Sequence, residues 1–368
     1  MPIAILATGN EITSGDILNT NGQIIAATLT DAGFAMGMHV CAVDEKPALC
    51  QALAFLLDHH DFVIIIGGLG PTSDDLTRFA LAETLDIPLE FSEESWQRII
   101  NRFQQYNLSV PDNNKQQSLF PIGAYIYPNQ QGTADGCCFE KNNKTLFMLP
   151  GPPAECLPIF FNHVLPHLQE KRTTPAQKIL RWRLFGVSEG HVAKELDSAL
   201  ADTGVITGYR VDYPYIEFKC TMPADRDPQN ILEKIEPIME PLFLSDPYRK
   251  ASEMLLEHLS QPGSRILIHD PITQGFLERQ IHTPATHARV RFQPSDDFSP
   301  ALIFMLEGLD AFWKSIEGAR TITFTITEKN QLKEPQHFEF PYRSNRVLKQ
   351  AAELAADYIL RSVATHYQ

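Results

Sequence analysis

A chain of 368 residues exceeds what one hydrophobic core usually holds, so two or three domains are expected. Its 43% apolar share is that of an ordinary globular protein, and 45 acidic against 31 basic residues leave a net charge of -14, which argues against binding nucleic acid through a general electrostatic footprint. No run approaches the roughly 20 apolar residues of a membrane span. The apolar opening, Ile3 to Ala7, lacks a basic flank and is too short for a signal peptide, so it reads as a first buried strand of a cytoplasmic protein.

The elements then follow in an alternating order that favours a mostly parallel sheet covered by helices on both faces. Strands are expected at Ile3 to Ala7, Ala35 to Ala42 and Phe62 to Ile66. Between them Ile24, Ile25, Thr28, Leu29 and Ala32, and then Leu49, Ala52, Leu53, Leu56 and Leu57, carry helical spacing. Val63 to Ile66 runs straight into Gly67-Gly68-Leu69-Gly70-Pro71-Thr72-Ser73-Asp74-Asp75-Leu76-Thr77, a glycine turn entering a helix that bears two carboxylates. Glycines let the backbone approach a ligand, and amides at a helix start point at anions. The spacing is neither a P-loop nor a dinucleotide fingerprint. Two aspartates beside a phosphate cradle call for a divalent metal or a proton between them and the ligand.

Helices are expected near Leu76 to Leu85 and Ser92 to Tyr106, with short strands near Tyr125, Cys138 and Leu146. Pro150-Gly151-Pro152-Pro153 opens a further helix through Ile159, Phe160 and Val164. Lys171 to Pro175 reads as a linker. A small α+β unit follows, with strands at Ile179 to Phe185, Val205 to Tyr209 and Ile216 to Met222 and helices at Ser188 to Leu200 and Asn230 to Met239. After Ser245-Asp246-Pro247 the rhythm is again α/β, with strands at Ile266 to Ile268, Ala288 to Phe292, Ala301 to Met305 and Ile322 to Ile326 and a closing helix at Val347 to Val363. The expected domains are therefore 1–172, 173–246 and 247–368.

In an open α/β sheet the loops at the carboxyl ends of neighbouring strands line one crevice. Thr8-Gly9-Asn10-Glu11, Asn19-Thr20-Asn21 and Val43-Asp44-Glu45 should therefore converge on the glycine turn. Asp44 and Asp75 would then end two neighbouring strands, a sensible placement for carboxylates sharing one divalent ion. Each has a bland alternative: Asn19 or Asn21 can cap a helix, as can Ser73, Asp74 or Asp44. The six cysteines show no C-x-x-C or finger spacing and read as reduced structural thiols. His59-His60 is expected to cap carbonyls at a helix end rather than to hold a metal.

These segments, together with Gly132-Thr133-Ala134 and Pro150-Gly151-Pro152-Pro153-Ala154-Glu155, resemble the CinA family, whose first domain is similar to the molybdopterin-binding fold of the MoaB and MogA proteins. The motifs cover roughly residues 1 to 170, and Leu184 to Glu189 resembles the opening of the family's middle domain. The resemblance implies a three-layer N-terminal domain, a small α+β middle domain and a shortened C-terminal α/β domain. It also implies a pyrophosphatase that splits ADP-ribose or a related nucleotide into AMP and ribose 5-phosphate, in pyridine nucleotide metabolism, with a divalent metal. On that reading Asp44 and Asp75 hold the metal, and Asp74 or Glu155 is the base. The substrate is bound by Glu11, Asn19, Asn21, Gly67, Gly68, Gly70, Pro71, Thr72, Ser73, Thr77, Gly132, Thr133 and Gly151.

Two departures stand within this domain, Asn10 where an aspartate is common and Asp135 where a proline is common. The family's C-terminal domain often deamidates nicotinamide mononucleotide through a serine in E-S-x-T-G-G. Here the corresponding turn reads His269-Asp270-Pro271-Ile272-Thr273-Gln274-Gly275, without nucleophile or oxyanion donors, so that domain is expected to be degenerate. A homodimer is expected, with Phe304, Leu306, Leu309, Phe312 and Trp313 as an apolar stripe that is core or interface. The rival to the hydrolase is a non-catalytic molybdopterin or nucleotide binding module.

Overall fold

Apolar runs of the first 150 residues form the sheet that the crevice stands on. A computed structural model describes residues 2–173, 175–329, 334–341 and 346–365; Thr174 of the Lys171–Pro175 linker lies outside them. The chain divides into two units, Met1–Lys178 with Pro223–Asp225, and Ile179–Met222 with Arg226–Gln368.

In the first unit the strands are β1 (Ile3–Thr8), β2 (Met36–Ala42), β3 (Phe62–Ile66), β4 (Leu89–Phe91), β5 (Leu119–Pro121), β6 (Tyr125–Tyr127), β7 (Gly136–Lys141) and β8 (Lys144–Leu149). The helices are α1 (Asn10–Thr13), α2 (Thr20–Asp31), α3 (Lys46–His59), α4 (Thr77–Leu85), α5 (Glu93–Gln105), α6 (Pro153–Ile159) and α7 (Leu165–Glu170). Six strands pair in the order β2-β1-β3-β8-β7-β6; β2, β1, β3 and β8 run parallel, and β7 and β6 are added antiparallel. Ile64 and Ile66 pack with Ile25, Leu29 and Phe160 on one face, while Val63 and Ile65 pack with Leu53, Leu56 and Leu81 on the other. Burial on both faces explains why β1 and β3 read as unbroken apolar runs rather than alternating ones. Each such side chain contributes about 1.5–3 kcal/mol on leaving water.

The second unit holds a three-stranded sheet of β9 (Gln177–Phe185), β10 (Ile206–Asp212) and β11 (Tyr215–Pro223), covered by α8 (Glu189–Leu200) and α9 (Gln229–Met239). Its second sheet has the order β13-β12-β14-β15-β16, from β12 (Ile266–His269), β13 (Val290–Arg291), β14 (Leu302–Gly308), β15 (Thr321–Glu328) and β16 (Gln336–Pro341). The helices α10 (Ala251–Ser260), α11 (Phe276–Ile281), α12 (Asp310–Trp313) and α13 (Val347–Thr365) complete it. The buried Glu353 of α13 accepts from the Tyr215 hydroxyl, the Ser252 amide and hydroxyl and Gln280, so one carboxylate ties the two sheets' surroundings together. Phe304, Leu306 and Leu309 are fully buried, so the stripe considered for a dimer is core along most of its length. Among the described residues no helix is long and apolar enough to cross a membrane.

Candidate functional site

The parallel strands β2, β1, β3 and β8 all end on one side, and between β1 and β3 the chain order reverses direction across the sheet, which is where open α/β sheets form ligand crevices. A crevice of about 360 Å³ lies there, lined by Glu11, Asp44, Gly67, Gly68, Gly70, Pro71, Thr72, Asp74, Asp75, Thr133, Gly151 and Glu155 among others. Asn19 and Asn21 line an adjoining hollow that shares Thr8, Glu11, Gly151 and Pro152 with the first. Ser73, Thr77 and Gly132 do not line the crevice.

The glycine turn owes its shape to left-handed angles at Gly67 (φ 101°) and Gly68 (φ 64°). A Cβ on Gly68 would sit 2.2 Å from the Thr77 Oγ1, and a Cβ on Gly70 would sit 2.4 Å from Asp75. Thr77 serves the turn from behind, its hydroxyl donating to the Gly67 carbonyl at 2.9 Å. The two aspartates correct the sequence reading: α4 begins at Thr77 with no side-chain cap, so Asp74 and Asp75 lie in the turn and not on the helix. Asp75 folds back over the turn instead, accepting from the Gly70 amide (2.7 Å), the Thr72 amide (2.8 Å) and the Thr72 hydroxyl (2.5 Å). The turn's carbonyls are taken from outside by Asn113 (Pro71 O), Gln116 (Gly70 O and Thr72 O), Gln117 (Leu69 O) and Arg78 (Leu69 O). Among the described residues the amides of Gly68 and Leu69 have no protein acceptor.

Asp44 is joined to the loop after β1 by a reciprocal pair, Asn10 N–H to Asp44 Oδ2 at 3.0 Å and Asp44 N–H to Asn10 Oδ1 at 3.3 Å. It therefore does not cap α3, whose N-cap is Glu45 without a side-chain bond. Burial, and then the like charges of Glu11, Asp74 and Asp75, hold the Asp44 carboxyl above its ordinary pKa against the opposing pull of the Asn10 amide. Asp74 is fully exposed, and its bond with Thr72 keeps its pKa low, which makes it a poor proton acceptor. Glu155 accepts from Asn129 Nδ2 at 2.7 Å and packs so tightly on Gly132 that any Cβ there would collide with its carboxylate. Asn129 also takes the amides of Gln131 and Gly132 on its Oδ1, so it shapes the whole Gly132-Thr133 loop. Asp135 anchors that loop to α5, accepting from Ser95, Arg98 and the Asn129 amide.

Asn19 caps α2 through the Gly22 amide, and Asn21 donates to the Gly151 carbonyl at 2.7 Å. Among the described residues, Thr8 Oγ1 at the crevice and Asn21 Oδ1 in the adjoining hollow are buried without a hydrogen-bond partner, unpaired polar atoms of the kind that a bound ligand or water satisfies. His59 and His60 turn Nδ1 to the carbonyls of Phe55 and Leu56 at the end of α3.

Sequence reasoning missed Arg78. It is fully buried beneath the turn, with Nε and one Nη lacking a hydrogen-bond partner among the described residues, and burial brings its pKa down to about 10. A cation placed there adds attraction for an anion to that of the free amides. The signal was available: Arg78 shares a helical face with Leu81, three residues on, a charge standing on an apolar stripe. Asn129 had no comparable signal. The crevice is lined by five carboxylates, Glu11, Asp44, Asp74, Asp75 and Glu155, and by no basic side chain. Such hard oxygen donors suit a divalent cation of the magnesium or manganese type, although among the described residues no three of them gather their oxygens within 4.8 Å of one another.

The family described as "Probable molybdopterin binding domain" matches residues 4–170, the span that builds the first sheet and crevice. A protein of Alkaliphilus metalliredigens named as competence-damage inducible is 37% identical over 293 residues, covering 76% of this chain and 70% of the relative. A CinA-like protein of Anaeromyxobacter dehalogenans is 29% identical over 290 residues, again 76% and 70%. The crystal structure of the protein CinA from Thermoplasma acidophilum, titled as of unknown function, aligns at 27% identity and a TM-score of 0.42, over 45% of this chain and 96% of that one. The chain spans about two thirds of the length of such curated relatives.

Proposed function

The chain belongs to the CinA-like, competence-damage inducible family, and we propose that its N-terminal crevice hydrolyses the pyrophosphate of ADP-ribose or a related nucleotide with the help of a divalent metal. One observation carries this reading: Gly68 and Leu69, whose amides have no protein acceptor among the described residues, line a crevice walled by carboxylates, with the buried Arg78 bonded to the Leu69 carbonyl. Amides and guanidinium favour a phosphate, whereas the carboxylates by themselves would repel it. A cation held by Asp44 and Asp75 would reconcile the two and, when bound, would polarise a phosphoryl oxygen and acidify an attacking water.

The side chains then divide the remaining work. The Gly68 and Leu69 amides hold one phosphate, and Thr8 and Asn21 offer their unpaired oxygens to the ribose or the bridging groups. Glu155, fixed by Asn129, takes the proton of the water as its oxygen bonds to phosphorus. The P–O–P bond breaks, and AMP and ribose 5-phosphate leave.

Incubation with ADP-ribose and magnesium or manganese, followed by assay of AMP, tests this. AMP that disappears in Asp44→Ala supports hydrolysis. Saturable binding of ADP-ribose without AMP under either metal would leave a binding module and end the hydrolase reading. We further propose a homodimer in solution, tested by light scattering, and a C-terminal region without acyl-transfer activity, tested by ammonia release from nicotinamide mononucleotide.

A further inference from the structure

A second group of metal-ligating side chains lies in the first unit, and none of its members lines the crevice. Alternation along β7 puts Cys138 and Glu140 on one face of the sheet. Against that face packs the helical segment after Pro153, which passes through one π-helical stretch, Phe160–Val164, before α7. His163 stacks on Tyr127 of β6 at 4.8 Å, which fixes the rotation of the segment, and one turn later His167 meets the sheet residues. The Cys138 sulfur, a Glu140 oxygen and a His167 ring nitrogen all lie within 4.8 Å of one another, the only such trio of ligand types among the described residues. His167 Nε2 is 3.1 Å from Glu140 Oε1, and the Phe147 ring meets the imidazole edge-on at 5.4 Å, holding its orientation.

We propose that Cys138, Glu140 and His167 form a binding site for a thiophilic divalent cation of the zinc class, with water as a fourth ligand. Thiolate, imidazole and carboxylate together are the donor set that zinc takes in four-coordinate sites, and the thiolate discriminates against magnesium and calcium. With zinc–ligand bonds of about 2.0–2.3 Å, the His167–Glu140 pair already stands at ligand spacing, 3.1 Å apart, and the Cys138 sulfur, within 4.8 Å of both, would close on them. Surroundings of the kind that tune a metal are present: the Tyr127 hydroxyl is buried near Cys138 without a hydrogen-bond partner among the described residues, and a metal-bound thiolate would offer it an acceptor. Of the three, Glu140 borders an open hollow together with Lys171 and Lys144, the side from which an ion would enter. Lys171 occupies the place of a cation, its ammonium paired with Glu140. An entering ion must displace it. The site joins the last helix of the first unit to β7, so the bound ion would staple that helix to the sheet.

Titration of the full, reduced chain with cobalt(II) tests the site, because a thiolate ligand produces a near-ultraviolet charge-transfer band that carboxylates do not. One equivalent should give the band together with intense visible absorption of tetrahedral type, and zinc should abolish both. Cys138→Ala and His167→Gln should each remove the band, whereas Cys41→Ser, Cys137→Ala and Asp44→Ala should keep it. Lys171→Met should tighten zinc by several-fold, as a competitor is removed, and zinc should raise the melting temperature of the wild type but not of His167→Gln. Should Cys138→Ala fail to fold, the half-exposed His167→Gln decides. No band at saturating cobalt, or a band that survives His167→Gln, overturns the proposal. Neither result bears on the crevice, whose metal would be bound by oxygen alone.

Discussion

Two turns of this molecule, one in each unit, follow buried parallel strands, contain left-handed glycines and close on an aspartate that takes two amides and a threonine hydroxyl. After β3 the aspartate is Asp75, which comes late and reaches back to Gly70 and Thr72. After β12 it is Asp270, which comes first and reaches forward to the amides of Ile272 and Thr273 and to the Thr273 hydroxyl. The direction decides the outcome. A backward clamp leaves the amides of Gly68 and Leu69, which follow the Gly67 amide bonded to Leu149, without a protein acceptor among the described residues; a forward clamp consumes the amides of Ile272 and Thr273, which are buried in the core. Strand, glycine turn and helix thus leave unpaired amides beside a crevice in one place, as the proposed phosphate site requires, and make a plain connection in the other.

The largest test of that contrast sets Asp44 against Asp270. Asp44→Ala should lower AMP formation by about 10²-fold or more, the usual scale for losing a group at the reacting centre, while Asp270→Ala should leave kcat and KM unchanged. Loss of turnover in Asp270→Ala would break the comparison, since the second turn would then be serving the first. Arg78→Met comes next, and should raise KM for ADP-ribose by roughly tenfold, equivalent to about 1.4 kcal/mol of lost anion attraction. An unchanged KM would mean that the free amides suffice.

Stability measurements sharpen the same contrast. Gly68→Ala forces a Cβ onto Thr77 at a φ of 64°, and its urea midpoint should fall by the equivalent of about 1–3 kcal/mol. Gly275→Ala also suffers a left-handed φ, of 70°, but meets only the end of Arg279 at 3.3 Å, so the loss should be about 1 kcal/mol. The smallest effect is the pH dependence of Asp44. Its pKa is raised in the folded chain by burial and by Glu11, Asp74 and Asp75. The folded state therefore holds this proton more tightly than the unfolded state, and the resulting stabilisation is present below the ordinary aspartate pKa and lost as pH rises through the raised one. Melting of wild type and Asp44→Asn without divalent ions should show the variant gaining on the wild type across that acidic window. Magnesium should shrink the gap at neutral pH by neutralising the like charges.

Much of the fold was legible because the first domain's elements are strong and local. The apolar runs of β1 and β3, the helical spacing at Leu49 to Leu57 and the helix-starting prolines near Pro153 each announce an element within a few residues. The short pair β4 and β5, the helices α10 and α11 and the edge strand β16 were not anticipated. Three-residue strands offer too little alternation, and α11 is only six residues long. In the site, the glycine turn stood out by composition and the convergence of the Asp44 loop followed from strand order. What escaped was how the carboxylates point: Asp75 toward its own turn, Asp44 toward Asn10, Glu155 toward Asn129.

By itself the sequence determined the order of strand and helix and the place of the glycine turn, because periodicity and left-handed backbone preferences act over a few residues. The tertiary structure decided which amides remain free, which carboxylate has its pKa raised, and that Arg78 lies beneath the turn while Cys138, Glu140 and His167 meet on the sheet. Several of those outcomes depend on groups far apart in the sequence, such as Asn10 with Asp44 and Glu140 with His167. Their mutual distances come from the packed sheet, and the electrostatics follow from the water that packing excludes.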